Sequence, residues 1–295
     1  MYASVDICIP TYNSEKTLKT TLRSLLAQTH QNITIHVVDN LSKDKTLEIA
    51  RSFGDTRVVV HENCIHIPYA EGNWNRCFSH MNGDFSAIFH ADDVYLPNMI
   101  ETQVKALEKN LDICAVFTGA YYINGQGGLQ SELELPEEYR GKKVVAKDVV
   151  VSTLKHGCKL ICSSPLFRTH IFRSLSPFRY DQFGYSSDLD FWIRAAEYSK
   201  IMVLDESLMA YRVSDGQAST GIHHLRTSEA GIFRLIDHYI PKYPNLPQDA
   251  LDMYEMRRFE DKLFCIRNLV KKLGPRFPHY AWWGFTEKFL GGHDD

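Results

Sequence analysis

Short apolar runs alternate with stretches of helical periodicity along the first 123 of the 295 residues. Residues 5–10 form a predicted buried strand, and residues 15–28 carry Leu18, Leu22, Leu25 and Leu26 at helical spacing. Further strands are predicted over residues 33–39, 57–61, 85–90 and 113–123, with helices over 43–53, 72–81 and 97–110 between them. This alternation predicts an α/β fold with a mainly parallel central sheet that is flanked by helices.

The remainder of the chain has a less regular pattern. Residues 124–141 are rich in Gly, Gln and Glu and lack periodicity, so we predict an exposed loop there. Helices are predicted over residues 147–156 and 188–199, and short strands over 160–163 and 201–204. Two more predicted helices, over 223–239 and 247–273, form a C-terminal helical extension. The chain therefore divides into two halves of one domain, residues 1–123 and 124–220, and an extension over 221–295.

Composition narrows the classes of protein that this pattern fits. The net charge is −3 and the isoelectric point is about 6.5, so no basic field attracts nucleic acid. Seven cysteines fit neither a disulfide framework nor a zinc ribbon, which favours a reducing, cytoplasmic compartment. The N-terminus lacks the apolar segment of a signal peptide, and no run reaches the ~18 apolar residues of a membrane span. We expect a soluble or peripheral protein without a nucleic-acid partner.

Acidic side chains follow the predicted strands at the positions where α/β sheets bind ligands. Asp39 ends the second strand, and Asp92 and Asp93 follow the fourth. In such sheets the ligands lie beyond the carboxyl ends of the strands. Two adjacent carboxylates there are hard oxygen ligands that suit Mg²⁺ or Mn²⁺. Asp188 opens a later helix, where the helix dipole keeps a carboxylate ionised and therefore available as a base.

Several segments form a recognisable series in sequence order. They are Pro10-Thr11-Tyr12-Asn13, Val37-Val38-Asp39-Asn40 with Ser42 and Thr46, Gly72-Asn73-Trp74-Asn75-Arg76, Ala91-Asp92-Asp93 with Pro97, Ser187-Asp188-Leu189-Asp190 with Trp192 and Arg194, and Tyr211-Arg212. In this order they resemble the motifs of the family 2 glycosyltransferases, which have the GT-A fold. The resemblance covers roughly residues 4–219, and the order is far more specific than any single motif.

The resemblance implies a transferase of bacterial surface-polysaccharide biosynthesis that moves a sugar from a nucleotide sugar, a UDP-sugar above all, to an acceptor hydroxyl with inversion. It implies that residues 1–123 bind the donor, and that 124–220 bind the acceptor and supply the catalytic base, Asp188. The implied donor-binding residues are Pro10, Thr11, Tyr12, Asn13, Asp39, Asn75, Asp92 and Arg212. Asp92 and Asp93 are the implied ligands of divalent Mn²⁺ or Mg²⁺. The implied acceptor is a glycan or a lipid-linked oligosaccharide, met in the cytoplasm or at the inner face of the membrane.

Three positions depart from the family pattern, and the first two keep alternatives open. His90 stands where the first acid of D-x-D is usual, Ser187 replaces a common Glu, and Ser214 stands where a histidine often follows Y-R-x. One alternative is a non-catalytic nucleotide-sugar-binding protein. The other is a sugar nucleotidyltransferase, which needs a glycine-rich basic loop, whereas residues 10–18 contain no glycine and only Lys16. Aromatic residues between Tyr280 and Phe289 leave a peripheral membrane contact and a homodimer open as further partners.

Overall fold

The structure, a computed structural model, describes residues 3–214 and 226–273, and within them ten strands form one sheet. The strands are β1 (Val5–Thr11), β2 (Ile33–Asp39), β3 (Val58–Glu62), β4 (Phe85–Ile88), β5 (Val94–Tyr95), β6 (Ile113–Ile123), β7 (Leu129–Glu132), β8 (Lys142–Val144), β9 (Leu166–Arg168) and β10 (Lys200–Arg212).

The order of the strands is β3-β2-β1-β4-β9-β6-β10-β5, with β7 paired to β6 and β8 paired to β10. The four strands from β3 to β4 run parallel to one another, as do β6 and β10. Strand β9 lies between these two groups and is antiparallel to both of its neighbours. The predicted α/β fold with a mainly parallel central sheet is confirmed, and the antiparallel pairs belong to the second half of the sheet.

Helices connect most of the strands. They are α1 (Leu18–Leu26), α2 (Thr46–Arg51), α3 (Ala70–Cys77), α4 (Met99–Lys109), α5 (Ala146–His156), α6 (Thr169–Ser174), α7 (Tyr180–Phe183), α8 (Ser187–Tyr198), α9 (Gly231–Tyr239) and α10 (Gln248–Leu273). Short 3₁₀ turns occupy Phe78–His80, Gly184–Ser186 and Ile240–Lys242.

Helix α1 begins at Leu18, three residues later than predicted. The backbone N–H of Ser14 donates to Thr46 Oγ1 at 2.7 Å, and the N–H of Glu15 donates to Asp44 Oδ2 at 3.0 Å. These bonds tie the segment before α1 to the loop after β2, so it cannot join the helix. The buried leucines of α1 lie in one core cluster with the apolar residues of β1 and β2, which confirms their predicted core role.

A second group of buried aromatic rings fixes helix α8 on the sheet. Phe167 of β9 stacks on Phe172 of α6 at 4.3 Å between ring centroids, and Trp192 of α8 lies 5.6 Å from Phe167. Phe191 meets Phe172 edge-on at 5.3 Å. Such pairs stabilise a packing arrangement by about 0.5–1.5 kcal/mol each beyond their burial. The first turn of α8, which carries Asp188, is therefore held in place by residues that lie one turn further along.

Two predictions for the second half of the chain were wrong, and a third, a strand that is present, ended too early. Residues 160–163, a predicted strand, form a turn, and β9 begins only at Leu166. Residues 124–141, a predicted exposed loop, contain β7 and the buried side chains Leu133, Leu135 and Tyr139. The strand predicted over 201–204 continues to Arg212 as β10. The strands β7, β9 and β10 all pair with β6, which is distant from β9 and β10 in the sequence. Local periodicity does not indicate such pairing.

The chain forms two compact units, residues 1–214 and 215–295. The first contains the whole sheet, which continues across residue 123, and the further division at that residue stays a prediction. In the second unit α9 begins at Gly231, and Tyr254 Oη of α10 donates to the Phe233 carbonyl at 3.1 Å. The aromatic residues from Tyr280 onward lie outside the described residues. Among the described helices, none combines the length and the apolar composition that a bilayer span requires.

Candidate active site

The loops after β1 and β2 form the first wall of the candidate site. Thr11 and Asp39 are neighbours in the parallel register of the two strands, so their side chains meet at the carboxyl ends. Thr11 Oγ1 donates to Asp39 Oδ1 at 2.9 Å, while the backbone N–H and the hydroxyl of Ser42 donate to Asp39 at 2.8 and 2.5 Å. Asp39 is fully buried. The carboxylate therefore joins the two loops into one preformed edge.

Asn13 continues this connection and leaves its neighbour Tyr12 exposed. The Asn13 N–H donates to Ser42 Oγ, and the Lys43 N–H donates to Asn13 Oδ1, both at 2.9 Å. Asn13 has φ of 50°, a left-handed conformation that Asn tolerates better than most residues. The Tyr12 ring is 47% exposed and lies 4.8 Å from the His66 ring. The structure thus brings Thr11, Tyr12, Asn13 and Asp39 to one edge, with half-buried Pro10 at the end of β1.

Three side chains that follow β4 converge as a candidate cation site. His90, Asp92 and Asp93 each offer a ligand atom within 4.8 Å of the other two. His90 Nδ1 lies 3.9 Å from Asp93 Oδ2, and His90 Nε2 is buried without a hydrogen-bond partner among the described residues. A divalent cation would satisfy that nitrogen, since imidazole and carboxylate together suit Mn²⁺. His90 therefore joins the two acids at the position where the family pattern has an acid.

The surroundings of Asp93 hold its carboxylate firmly. The backbone N–H of Arg212 donates to Asp93 Oδ1 at 2.9 Å, and Ser163 Oγ donates to Oδ2. Burial, and after it the negative charge of Asp92, raises the pKa of Asp93 well above its ordinary range. Burial lowers the pKa of His90, against the opposing effect of the Asp92 charge. Both shifts disfavour charge on these side chains, and a bound cation would reverse the shift of the carboxylate.

Two predicted donor-binding residues have structural partners in this state. Arg212 Nε donates to the Asp92 carbonyl at 2.7 Å, and its Nη1 donates to the carbonyls of Asn124 and Gly125 at 3.0 Å. The side-chain amide of Asn75 bonds both backbone groups of Phe178, at 2.8 and 3.2 Å. These contacts position the loops around the site. A direct contact of either residue with a donor stays a prediction.

Asp188 and Asp190 lie in one turn of α8 in different environments. Asp188 is half-buried, and burial raises its pKa to about 6 although the Leu189 N–H donates to its Oδ1 at 2.7 Å. Asp190 is fully buried and accepts bonds from Arg179 and Arg194, including one of 2.9 Å from Arg194 Nε. Arg194 therefore forms an ion pair with an acid of its own helix. Asp190 is thus held in ion pairs with two arginines, whereas a role of Asp188 as the base stays a prediction.

Sequence reasoning missed two residues that border Asp188. Glu71 in the first turn of α3 is 3% exposed, and burial, with a smaller contribution from the Asp188 charge, raises its pKa to about 7. Burial also raises the pKa of the Cys162 thiol, and the next contributions come from Asp188, Glu71 and Asp93. The thiol therefore lies among all three acids. Neither residue has a recognisable local signal, because Glu71 precedes a motif glycine and Cys162 lies in a turn.

The eight residues of α3 connect the parts of the site. Asn73 Nδ2 donates to the Val38 carbonyl at the end of β2, at 3.0 Å. The Trp74 ring stacks on the His90 ring with centroids 5.3 Å apart. Asn75 bonds Phe178, and Glu71 lies in the field of Asp188. A single short helix thus contacts the loop edge, the candidate cation site and the segment before α8.

Comparison with known sequences agrees with this arrangement. The sequence profile described as "Glycosyl transferase family 2" matches residues 6–166. The uncharacterised glycosyltransferase RT0329 of Rickettsia typhi is 31% identical over 230 residues, which are 77% of this chain and 69% of that protein. The UDP-Glc:alpha-D-GlcNAc-diphosphoundecaprenol beta-1,3-glucosyltransferase WfgD of Escherichia coli is 25% identical over 218 residues, 73% of this chain and 79% of that protein.

Solved structures share the fold. The crystal structure of S. aureus TarS 1-349 in complex with UDP-GlcNAc has a TM-score of 0.64 at 17% identity, covering 93% of this chain and 77% of that one. The mannosyltransferase PcManGT from Pyrobaculum calidifontis, in complex with GDP-Man and Mn²⁺, has a TM-score of 0.57 at 14% identity, covering 93% and 76%. The predicted GT-A fold is confirmed by these likenesses. The profile match over more than half of its length and the 31% identical relative RT0329 show that the chain belongs to glycosyl transferase family 2.

Proposed function

We propose that this glycosyltransferase moves a sugar from a UDP-sugar to a hydroxyl group of a glycan acceptor, with inversion at the anomeric carbon. One observation carries the proposal: Ser163 Oγ donates to Asp93 Oδ2 while the adjacent Cys162 side chain hydrogen-bonds Asp188, so a single turn links the candidate cation site to the candidate base. WfgD is named for a UDP-Glc donor, and the TarS structure holds UDP-GlcNAc, which supports the choice of nucleotide.

The preformed edge between β1 and β2 is the proposed nucleoside site. Among the described residues, Asp39 Oδ2 accepts one hydrogen bond, from the Ser42 N–H, which leaves a lone pair for an N–H of the base. The exposed face of Tyr12 is available for stacking on the base. Pro10, Asn13 and Asn75 shape this edge, and Arg212 with Asp92 completes it toward the diphosphate.

The proposed cofactor is a divalent cation, Mn²⁺ or Mg²⁺, held by Asp92 and Asp93 with His90 as a further ligand. When bound, it would neutralise the charge that grows on the departing diphosphate. The orphaned Nε2 of His90 and the two carboxylates provide a ligand set that fits such a cation. The protein itself fixes the Asp93 carboxylate through Ser163 and the backbone N–H of Arg212. This carboxylate therefore does not have to reorganise when the cation binds.

Asp188 is the proposed catalytic base. It takes the proton of the acceptor hydroxyl while the hydroxyl oxygen bonds to the anomeric carbon on the face opposite the diphosphate. The bond from that carbon to the diphosphate oxygen breaks, and its electron pair leaves with the diphosphate. A pKa of about 6 leaves Asp188 mainly ionised near neutral pH and yet more basic than an ordinary carboxylate.

The proposed acceptor is a glycan or a lipid-linked oligosaccharide of surface-polysaccharide biosynthesis. The name of WfgD specifies a diphosphoundecaprenol-linked acceptor for that protein. We accordingly propose that this enzyme works in the cytoplasm, at the inner face of the membrane. A homodimer and a membrane contact through the aromatic residues after Tyr280 stay predictions.

The experiment that tests this function measures melting temperature and nucleotide release with a panel of UDP-, GDP- and dTDP-sugars and Mn²⁺. We expect the melting temperature to rise with one nucleotide class, because ligands that bind the native state stabilise it. We also expect slow release of the nucleoside diphosphate in water and faster release with a glycan acceptor. Binding without release would favour the non-catalytic alternative. Release of pyrophosphate from a nucleoside triphosphate and a sugar phosphate would identify a nucleotidyltransferase.

A further inference from the structure

Glu71 is a buried acid whose side chain lacks a full set of hydrogen-bond partners among the residues that the structure describes. It lies in the first turn of α3 and is 3% exposed, and its Oε2 has no hydrogen-bond partner among the described residues. The Asp188 charge contributes to its raised pKa, so the two carboxyl groups lie near each other. A buried oxygen that accepts no hydrogen bond lowers the stability of the folded protein. Such an oxygen therefore indicates a site where a ligand supplies the missing hydrogen bond.

Three tyrosines form an aromatic platform beside these acids: Tyr69, Tyr180 and Tyr185. The rings of Tyr69 and Tyr180 stack with centroids 4.3 Å apart, and Tyr185 meets Tyr180 edge-on at 5.6 Å. Tyr69 and Tyr185 are 47% and 53% exposed, although apolar ring surface favours burial.

The chain connects the platform directly to the two acids. Tyr69 immediately precedes α3, two residues before Glu71, and Tyr185 lies in the 3₁₀ turn three residues before Asp188. Burial, a hydrogen bond with Tyr185 and the charge of Glu71 all raise the pKa of Tyr180, so Tyr180 also lies near Glu71. Exposed aromatic rings beside a hydrogen-bond acceptor suit a sugar ring, which has an apolar C–H face and hydroxyl donors at its rim.

We propose that Glu71 and the platform form the acceptor-sugar subsite, in which a pyranose ring of the acceptor stacks on the exposed Tyr185 ring and donates one hydroxyl to Glu71 Oε2. A second hydroxyl of the same ring then faces Asp188. The subsite rests on the proposed function and specifies which residues select the acceptor. It makes Glu71 a specificity-determining residue and leaves the proton transfer to Asp188.

The same observations argue against the donor as the occupant. The carboxyl groups of Glu71 and Asp188 repel an anionic diphosphate, whereas a neutral sugar ring is not repelled. The platform is also open to solvent at Tyr69 and Tyr185, so a glycan longer than one ring can leave the cleft there. The proposed nucleoside site, in contrast, includes the fully buried Asp39.

The test measures KM for the donor and for the acceptor separately. The probes are a UDP-sugar that the wild type uses and soluble glycosides of glucose and N-acetylglucosamine. We expect Tyr185→Ala and Glu71→Leu each to raise the acceptor KM by about tenfold, the scale of one lost ring contact or hydrogen bond. Donor KM and nucleotide release in water should stay within about twofold. Tyr185→Phe should retain an acceptor KM near that of the wild type, because the ring remains.

The matched control is Tyr198→Ala, which removes a 60% exposed tyrosine at the other end of α8 and should change neither KM. If Tyr185→Ala does not fold, Tyr69→Ala carries the same expectation, since the Tyr69 ring is also exposed. If the wild type is active and the variants have its acceptor KM, the subsite is overturned and the transferase function stands. A raised donor KM with an unchanged acceptor KM would also overturn it. A wild type that releases nucleotide from no donor would overturn both proposals.

Discussion

The two sides of the cleft bury their acids in opposite ways. On the donor side, Asp39 accepts three hydrogen bonds from Thr11 and Ser42, and Asp93 accepts bonds at both of its oxygens. On the acceptor side, Glu71 has a buried oxygen without a partner, and Asp188 has a pKa of about 6 because burial outweighs its hydrogen bonds. On the proposed donor side the protein holds the carboxylates in place through several donors and leaves His90 Nε2 without a partner, whereas on the proposed acceptor side it is a carboxylate oxygen that lacks a partner among the described residues.

This difference indicates what each side must do. A nucleotide and its cation present fixed charges, and preformed hydrogen bonds orient groups toward such charges without later reorganisation. A base must lose and regain a proton, so a carboxylate locked by several donors would be too weak an acceptor. Mutations that break the donor side should therefore act on binding. Mutations on the acceptor side should act on transfer, or on stability.

The largest expected effect follows from Asp188→Asn. Transfer to the acceptor should fall by about 10²–10⁴-fold, since the general base is lost while the shape of the side chain is retained. Nucleotide affinity, measured by calorimetry, should stay within about twofold. Asp181→Asn, an exposed acid of α7, is the matched control. Asp190→Asn is unsuitable because it breaks a buried pair with Arg179 and Arg194, which costs about 3–5 kcal/mol of stability.

Removal of the cation should have the next largest effect. A chelator should lower the affinity for UDP about 100-fold, because the diphosphate would then face Asp92 and Asp93 without a neutralising charge. His90→Phe keeps a ring against Trp74 and removes one ligand atom of the cation. It should therefore also lower the affinity for UDP that is measured with Mn²⁺. Calorimetry with and without Mn²⁺ measures both effects, and Asp205→Asn, an exposed acid of β10, is the control. Equal affinity for UDP with and without Mn²⁺ would show that no cation takes part in binding the donor.

Asp39→Ala should have a smaller effect, again on binding. It should weaken nucleotide affinity by about 1–3 kcal/mol, the scale of a hydrogen bond to a charged group, and loosen the edge between the two loops. Asp44→Ala is the matched control, because Asp44 also joins these loops through the N–H groups of Glu15 and Thr46. We expect Asp44→Ala to leave nucleotide affinity within about twofold. Similar losses in both variants would show that Asp39 acts through loop order alone.

The smallest expected effect concerns stability at the acceptor side. The pKa of Glu71 is raised to about 7, so the folded state keeps a proton that the unfolded state loses near pH 4.5. The contribution of Glu71 to the free energy of unfolding is fully present below the pKa of the unfolded state. It is lost as the pH rises through about 7, the pKa in the folded state. Glu71→Gln should therefore raise the free energy of unfolding at about pH 8 by about 1–3 kcal/mol and change it little at about pH 4.

Glu48→Gln is the control for this measurement, since Glu48 is an exposed first-turn glutamate of α2. Denaturant melts at the two pH values compare the variants. A Glu71→Gln variant that is less stable at about pH 8 would mean that the carboxylate has a stabilising partner within the protein.

The donor side was predictable from the sequence because its residues are local. Thr11 and Asp39 end strands that their apolar runs identify, and parallel strands bring their carboxyl ends to one edge. Asp92 and Asp93 follow the next apolar run in the same way. The role of His90 was not predictable, because the distances to both acids depend on the turn that follows β4.

The acceptor side was less predictable because its residues come from distant segments without periodic signals. Glu71 and Cys162 meet Asp188 only when β9 has entered the sheet, and the sequence pattern had placed that strand several residues too early. Asn75 illustrates the same limit. Its motif predicted a donor contact, whereas the structure shows its amide on the backbone of Phe178, a partner more than one hundred residues away.

The most direct test of the central claim is the pH dependence of kcat at saturating donor and acceptor, where changes in binding no longer contribute. We expect kcat of the wild type to rise with pH through a midpoint near 6, as Asp188 loses its proton and becomes able to accept one from the acceptor. Asp188→Asn should retain only a low, pH-independent rate over the same range. A flat profile for the wild type between about pH 5 and 8, or an unchanged midpoint in Asp188→Asn, would contradict the assignment of Asp188 as the base.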